Sequence, residues 1–155
     1  WSVGSGTIVS GQGTHSITVS WPAAAAGTIE VIETVDSTGC AGISTLFNVT
    51  VNALPMPSIS GNDQVCELSA GEVYTTPAMA GRSYSWSING GTIVSGQGTN
   101  SVVVDWGTAG NGNISVIETV TATGCAQSDL FSVTINPLPV PAITGSGSVC
   151  EYDAL

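Results

Sequence analysis

In the stretch Ser101–Trp106, SVVVDW, the apolar residues Val102, Val104 and Trp106 alternate with Val103 and Asp105. A near copy, SITVSW at Ser16–Trp21, tests the alternation: Ile17, Val19 and Trp21 stay apolar while Thr18 and Ser20 take the intervening places. Side chains on an extended chain point to opposite faces in turn, so this period of two predicts a strand with one buried face. The same chain holds EVYTTPA, SYSWSI, GTIVSG, NISVIETV and LFSVTIN, all rich in Val, Ile, Thr and aromatic residues. They are separated by INGG, GQGTN, TAGNGN and TATGC, which carry turn chemistry. No stretch shows helical spacing. Short strands at regular intervals over some 85 residues predict an all-β fold, an antiparallel β-sandwich of immunoglobulin-like architecture.

The two near copies belong to a longer repeat. Setting Trp1 on Trp86 keeps 25 of the first 40 positions identical, among them the nine residues GTIVSGQGT at Gly6–Thr14 and Gly91–Thr99. One residue is lost after the cysteines Cys40 and Cys125. LFNVTVNALPMPSISG (Leu46–Gly61) then matches LFSVTINPLPVPAITG (Leu130–Gly145), and VCE recurs at Cys66 and Cys150. Self-similarity at a fixed period signals a tandem array. The expected organisation is the C-terminal part of a first repeat at 1–53, a complete repeat at 54–137 and the start of a third at 138–155. The chain then reads as a segment of a longer polypeptide. The prolines of NALPMPSISG and NPLPVPAITG restrict φ and predict an extended, stiff connection between units.

Composition narrows the partners. Only 8% of residues are charged, Arg82 is the sole basic residue and the formal charge is −10. Nucleic acid is excluded, because phosphate binding is driven by Lys and Arg displacing counterions. Anionic headgroups are excluded as direct partners on the same ground. No apolar run is long enough to span a bilayer, so no direct membrane insertion is expected.

The combination PxPxIxG…VCE…VYTT…SYSWS…GGTIVSGQGTNSVVVDWG…ISVIET…TGC…VTIN resembles the PKD-like (polycystic-kidney-disease-like) immunoglobulin-type tandem repeats. These fill giant secreted surface proteins of Bacteroidota, including gliding-motility adhesins that are type IX secretion cargo. The resemblance covers essentially the whole chain, in register with the internal repeat. It departs from animal-type PKD domains where their WDFGDG is replaced by WSINGG, from Trp86. The resemblance implies an extracellular, bacterial cell-surface setting and a tandem array; it names no ligand.

Candidate chemistry is sparse. Each unit has an early cysteine (Cys66, Cys150) and a late one (Cys40, Cys125), with no CxxC pair and one His in the whole chain. That pattern does not make a structural zinc site. In an exported small β domain, disulfides are the default. One connectivity closes a unit on itself through Cys66 and Cys125, leaving Cys40 and Cys150 to pair with repeats outside the window. The other joins Cys40 to Cys66 and Cys125 to Cys150 across the linkers. The first is preferred because closing a long loop stabilises a small domain by about 4 kcal/mol. Lys–Asn isopeptide bonds are ruled out in a chain without lysine.

His15 is replaced by Asn100 in the next unit, which removes the imidazole that a Ser–His–Asp triad needs. Trp1, Trp21, Trp86 and Trp106 recur in register and read as core tryptophans rather than a sugar platform. Glu33 and Glu118 share the inward parity of their strands, so each is expected as a buried structural carboxylate. Such a group needs partners, either hydrogen bonds from a turn or, less favoured, a shared Ca²⁺. No other cofactor is implied. Asp63 is a further Ca²⁺ candidate, but the next unit has GSGS there. Ser37 within DST resembles a short bacterial O-glycosylation signal.

These features favour a structural reading: repeats of a large extracellular adhesin acting as a semi-rigid stalk or spacer for surface attachment or gliding motility. The alternative is the subunit of a self-assembling extracellular filament or sheath, in which other copies are the partners. A third reading is glycan binding by each repeat. Neighbouring repeats of the same chain are partners in all three. No nucleophile with its activator, paired acid and base, or phosphate cradle is present, so an enzyme is not expected.

Overall fold

The structure, a computed structural model, describes all residues except Ile43, Ser146, Val149 and 152–155. Among the described residues there is no helix. Seven strands build the region from 59 to 136: β6 (Gln64–Cys66), β7 (Glu72–Thr75), β8 (Arg82–Asn89), β9 (Gly91–Ser95), β10 (Ser101–Trp106), β11 (Gly110–Val120) and β12 (Ala126–Asn136). They form a four-stranded sheet in the order β6-β12-β11-β8 and a three-stranded sheet in the order β7-β10-β9. All neighbours are antiparallel except β6, which runs parallel to β12 with Val65 opposite Ile135.

Alternation builds the core between the sheets. Trp86, Ile114, Val116, Val133, Ile135 and Val65 come from the larger sheet, and Tyr74, Val102, Val104 and Trp106 from the smaller one; all are buried. Tyr74 sits between two rings, with centroids 5.9 Å from Trp106 and 6.0 Å from Phe131, both edge-on. Its hydroxyl donates to the Asn62 carbonyl (2.8 Å) and accepts from Trp106 Nε1 (3.1 Å). Edge-on pairs of this kind add about 0.5–1.5 kcal/mol beyond area burial. Gly112 lies against the Trp106 ring; a Cβ there would meet the ring at 2.5 Å, and Gly27 holds the same place under Trp21.

Residues 2–51 form five strands: β1 (Ser2–Gly4), β2 (Thr7–Ser10), β3 (Thr18–Ser20), β4 (Ala25–Val31) and β5 (Thr45–Val51). Their order, β1-β4-β5 with β2-β3, is that of β8-β11-β12 with β9-β10. The counterparts of β6 and β7 are not among residues 1–53. Trp106 is 3% exposed, whereas Trp21 is half-buried and Phe47, the counterpart of Phe131, is 65% exposed.

Candidate functional site

Two constellations stand out, and both hold the unit together across its sheets or at its ends. The first explains the duplicated GTIVSGQGT. Gly96 and Gly98 have φ of +87° and +86°, so the β9–β10 turn runs through the left-handed region that glycine adopts without a Cβ clash. The turn projects Gln97 toward β8 in the opposite sheet. Gln97 accepts from the Trp86 backbone N–H (3.0 Å) and donates to the Trp86 carbonyl (2.8 Å), copying one rung of a ladder. Trp86 Nε1 returns a bond to the Thr99 carbonyl (2.8 Å), and the Thr99 hydroxyl reaches the Gly96 and Ser101 carbonyls (2.8 and 2.7 Å). In residues 1–16, Gln12 bonds the Trp1 carbonyl and Trp1 Nε1 the Thr14 carbonyl in the same way. Gln97 and Gln12 escaped the sequence reading. The signal was the verbatim GQGT, which a turn alone would not require.

The second constellation is at the C-terminal end of β12. Glu67 follows β6, and its backbone N–H donates to the Asn136 carbonyl (2.7 Å). Its carboxylate accepts from the backbone N–H groups of Leu138 (3.0 Å) and Ala109 (3.2 Å), which hold its pKa below the ordinary 4.5. Further bonds run from Thr134 N to the Asp63 carbonyl, from Leu68 N to the Gly107 carbonyl and from Trp106 N to the Ser69 carbonyl, each 2.8 Å. The Val-Cys-Glu stretch is thereby clipped to both β12 and the β10–β11 connection. At the other end, Ile59 N donates to Asp129 Oδ2 (2.8 Å) near the start of β12.

The predicted carboxylates separate. Glu118 is 3% exposed, and the Arg82 guanidinium pairs with its carboxylate at 3.3 Å from Nε. Arg82 Nη1 is buried without a hydrogen-bond partner. Glu33, expected to be buried, is exposed. Asp63 contributes its backbone carbonyl to β12. Among the described residues no three His, Cys, Asp or Glu side chains converge on a metal-sized site.

The preferred disulfide is corrected as well. Cys66 lies opposite Asn136 at one end of β12, while Cys125 immediately precedes Ala126 at the other. Eleven strand residues separate the two levels by roughly 35 Å. A disulfide needs Cα atoms within about 7 Å, so these two thiols cannot join within one unit. Cys40 sits exposed at the tip of the β4–β5 connection, in a turn whose Val35 N–H donates to the Cys40 carbonyl (2.9 Å), as Val120 N–H does to Cys125 (2.8 Å). Because β5 leads from that tip toward the linker, Cys40 lies a strand length from it and far from Cys66. Cys150 is exposed in the C-terminal segment. Ser37 is exposed in the turn at 36–38, and His15 is exposed beside the GQGT turn. Trp86 and Trp106 are core residues.

A search of curated proteins finds no match for the chain. Residues 52–135, which run from the linker through the last long strand, match the family described as PKD-like domain. With more than half of its length matched, the chain belongs to the PKD-like domain family.

Proposed function

We propose that the chain is a load-bearing stalk segment of a large extracellular adhesin of bacterial type, built from tandem PKD-like units. The family is typically extracellular and its fold typically non-catalytic, and no helix of the described residues is long and apolar enough to cross a membrane. The observation that carries the reading is the parallel pairing of β6 with β12. The chain arrives beside Asp129, near the start of β12, and leaves past Asn136 at its end. Tension along the chain therefore draws β6 and β12 in opposite directions along their own axes. The ladder at Thr134–Asn136 and the Glu67 clip are loaded in shear, so their bonds must fail together rather than one at a time.

Neighbouring repeats are the immediate partners. Cysteines at the two ends of each unit suit covalent links from unit to unit, and the exposed Ser37 turn has room for a glycan. Single-molecule pulling on the chain tests the stalk reading. The matched 84 residues of 52–135 span roughly 290 Å when extended, so one unfolding step of about 25 nm is expected. Glu67→Gln should lower its force. A unit that extends with no resolvable force peak refutes the load-bearing role.

A further inference from the structure

We propose that the outer face of the sheet β6-β12-β11-β8 is a contact surface whose partner is the same face of a second copy of the chain. The register sets which residues lie on it. Trp86, Val116, Val133 and Val65 point into the core, so the residues that alternate with them point out. On β8 these are Ser83, Ser85, Ser87 and Asn89, all exposed. On the other three strands they are Ser, Thr, Asn, Gln, Ala and Cys66, with two exceptions, Ile117 and Leu130. Ile117 is 47% exposed and Leu130 64%. Ile117 lies opposite Ser128 and Leu130 opposite Ser115, so the two are diagonal neighbours on adjacent strands, within reach of each other. No charged side chain of these strands has the outward parity: Arg82, Glu118 and Asp129 all take inward positions.

That neutrality points to a second copy. Residues 54–137 hold six carboxylates and one basic residue, and Arg82 is engaged by Glu118. Asp63 and Glu67 flank β6 with the inward parity of Val65, Glu72 begins β7, and Asp105 points outward from the smaller sheet. A copy approaching those surfaces meets like charge that no lysine or arginine offsets. Approach over the large sheet meets none. Small outward side chains let two such sheets stack at about 10 Å. The Ser87 and Ser115 hydroxyls already bond each other (2.7 Å), so the row beside Leu130 gives up little water when covered. A two-fold axis in the contact plane sets Ile117 over the Leu130 of the second copy and Leu130 over its Ile117, an isologous arrangement that closes at two chains. The face measures roughly 19 by 27 Å, about 500 Å² on each side, at the small end of specific interfaces. The dimer is therefore weak and reversible. Residues 1–53 supply the contrast. Ile32 and Leu46, the counterparts of the pair, are exposed as well, but Leu46 lies opposite Glu30 where Leu130 has Ser115. A carboxylate beside the apolar pair bars the same contact there, so one face per chain associates. This contact goes beyond the stalk reading and does not depend on it.

Sedimentation of the 155-residue chain over a range of concentrations is the test, under reducing conditions so that the exposed cysteines do not link chains. The mean mass should climb from the monomer toward twice that value. Ser115→Glu, which writes the charge of Glu30 into the complete unit, should hold the mass at the monomer, and so should Leu130→Asp. Val73→Asp, an exposed change on the smaller sheet, should leave the dimer intact. Mixing Leu130→Asp with Ile117→Lys should restore association that neither shows alone, because the facing positions then carry opposite charges. A parent chain that stays monomeric at its highest soluble concentration overturns the proposal. So does a dimer that survives both Ser115→Glu and Leu130→Asp, or one that Val73→Asp abolishes, since either places the contact elsewhere. Growth beyond two chains refutes the closed two-fold arrangement.

Discussion

Replacing Tyr74 by Phe removes one oxygen atom from the place where the two sheets and the segment after the linker meet. The ring stays, and with it the contacts to Trp106 and Phe131. What is lost is an acceptor for Trp106 Nε1, in a residue 3% exposed, and a donor to the Asn62 carbonyl. A buried donor left without a partner costs about 1–3 kcal/mol. Asn62 is exposed, so water replaces the lost donor there and only the net bond, about 1 kcal/mol, is forfeited. The sum is about 2–4 kcal/mol, and each kcal/mol moves Tm by roughly 4–8 °C in a domain of this size. Tyr74→Phe should therefore lower the main melting transition of the chain, followed by circular dichroism, by about 8–30 °C. Tyr84→Phe is the internal control. Its hydroxyl bonds Met79 N and the Pro77 carbonyl in an exposed setting, and the loss should stay below about 1 kcal/mol. Equal shifts for the two variants would refute the role assigned to the buried hydroxyl.

Arg82→Ala should destabilise the chain by about 3 kcal/mol, because it strands the buried Glu118 carboxylate, whereas Arg82→Leu with Glu118→Leu should cost less than either single change; a double-mutant cycle by urea denaturation measures both. Glu67 has a folded-state pKa below its unfolded value, so its contribution is complete above the unfolded pKa and disappears as pH falls through the folded one. Melting temperatures taken from about pH 6 down to pH 2 should fall less steeply for Glu67→Gln than for the parent chain. In a Cys40→Ser, Cys150→Ser variant kept under oxidising conditions, Cys66 and Cys125 should both still react with a maleimide in the folded monomer; a monomer two hydrogens lighter would contradict the separation along β12.

Parity was the most legible part of the sequence. Val102, Val104 and Trp106, and Ile114, Val116 and Glu118, point inward as their alternation requires, because a strand's faces are set by local geometry alone. What the sequence did not disclose depended on partners distant along the chain. Strand β6 has three residues, too few to alternate, and exists because Thr134–Asn136 offer it a parallel edge. The partner of Glu118 is 36 positions away on β8, and only the Arg82–Val120 register brings the two together. Glu33 has the same sequence neighbours as Glu118, but β4 ends at Val31, so Glu33 lies outside the strand and is exposed. The cysteines failed for a related reason: regular spacing along a repeat gives their sequence distance, while their separation is decided by which end of β12 each one flanks.

The two constellations divide the work of the unit in a way that the repeat itself makes plain. GTIVSGQGT is copied without change because each of its parts is tied by geometry: two glycines for the turn, a carboxamide long enough to reach Trp86, and a hydroxyl to close the turn behind it. Asn at the Gln97 position would fall one methylene short of the opposite sheet, so that residue tolerates little change. The linker differs between copies at Ala53 and Pro137, Met56 and Val140, Ser58 and Ala142, and Ser60 and Thr144, while Pro55 and Pro57 recur as Pro139 and Pro141. Stiffness requires only the prolines. Invariance therefore falls where hydrogen bonds join one sheet to the other or one end of the chain to its neighbour. Outward strand positions follow no single rule: Glu30 against Ser115 and Thr18 against Val103 differ, while Val9 with Val94 and Leu46 with Leu130 are exposed in both copies and identical.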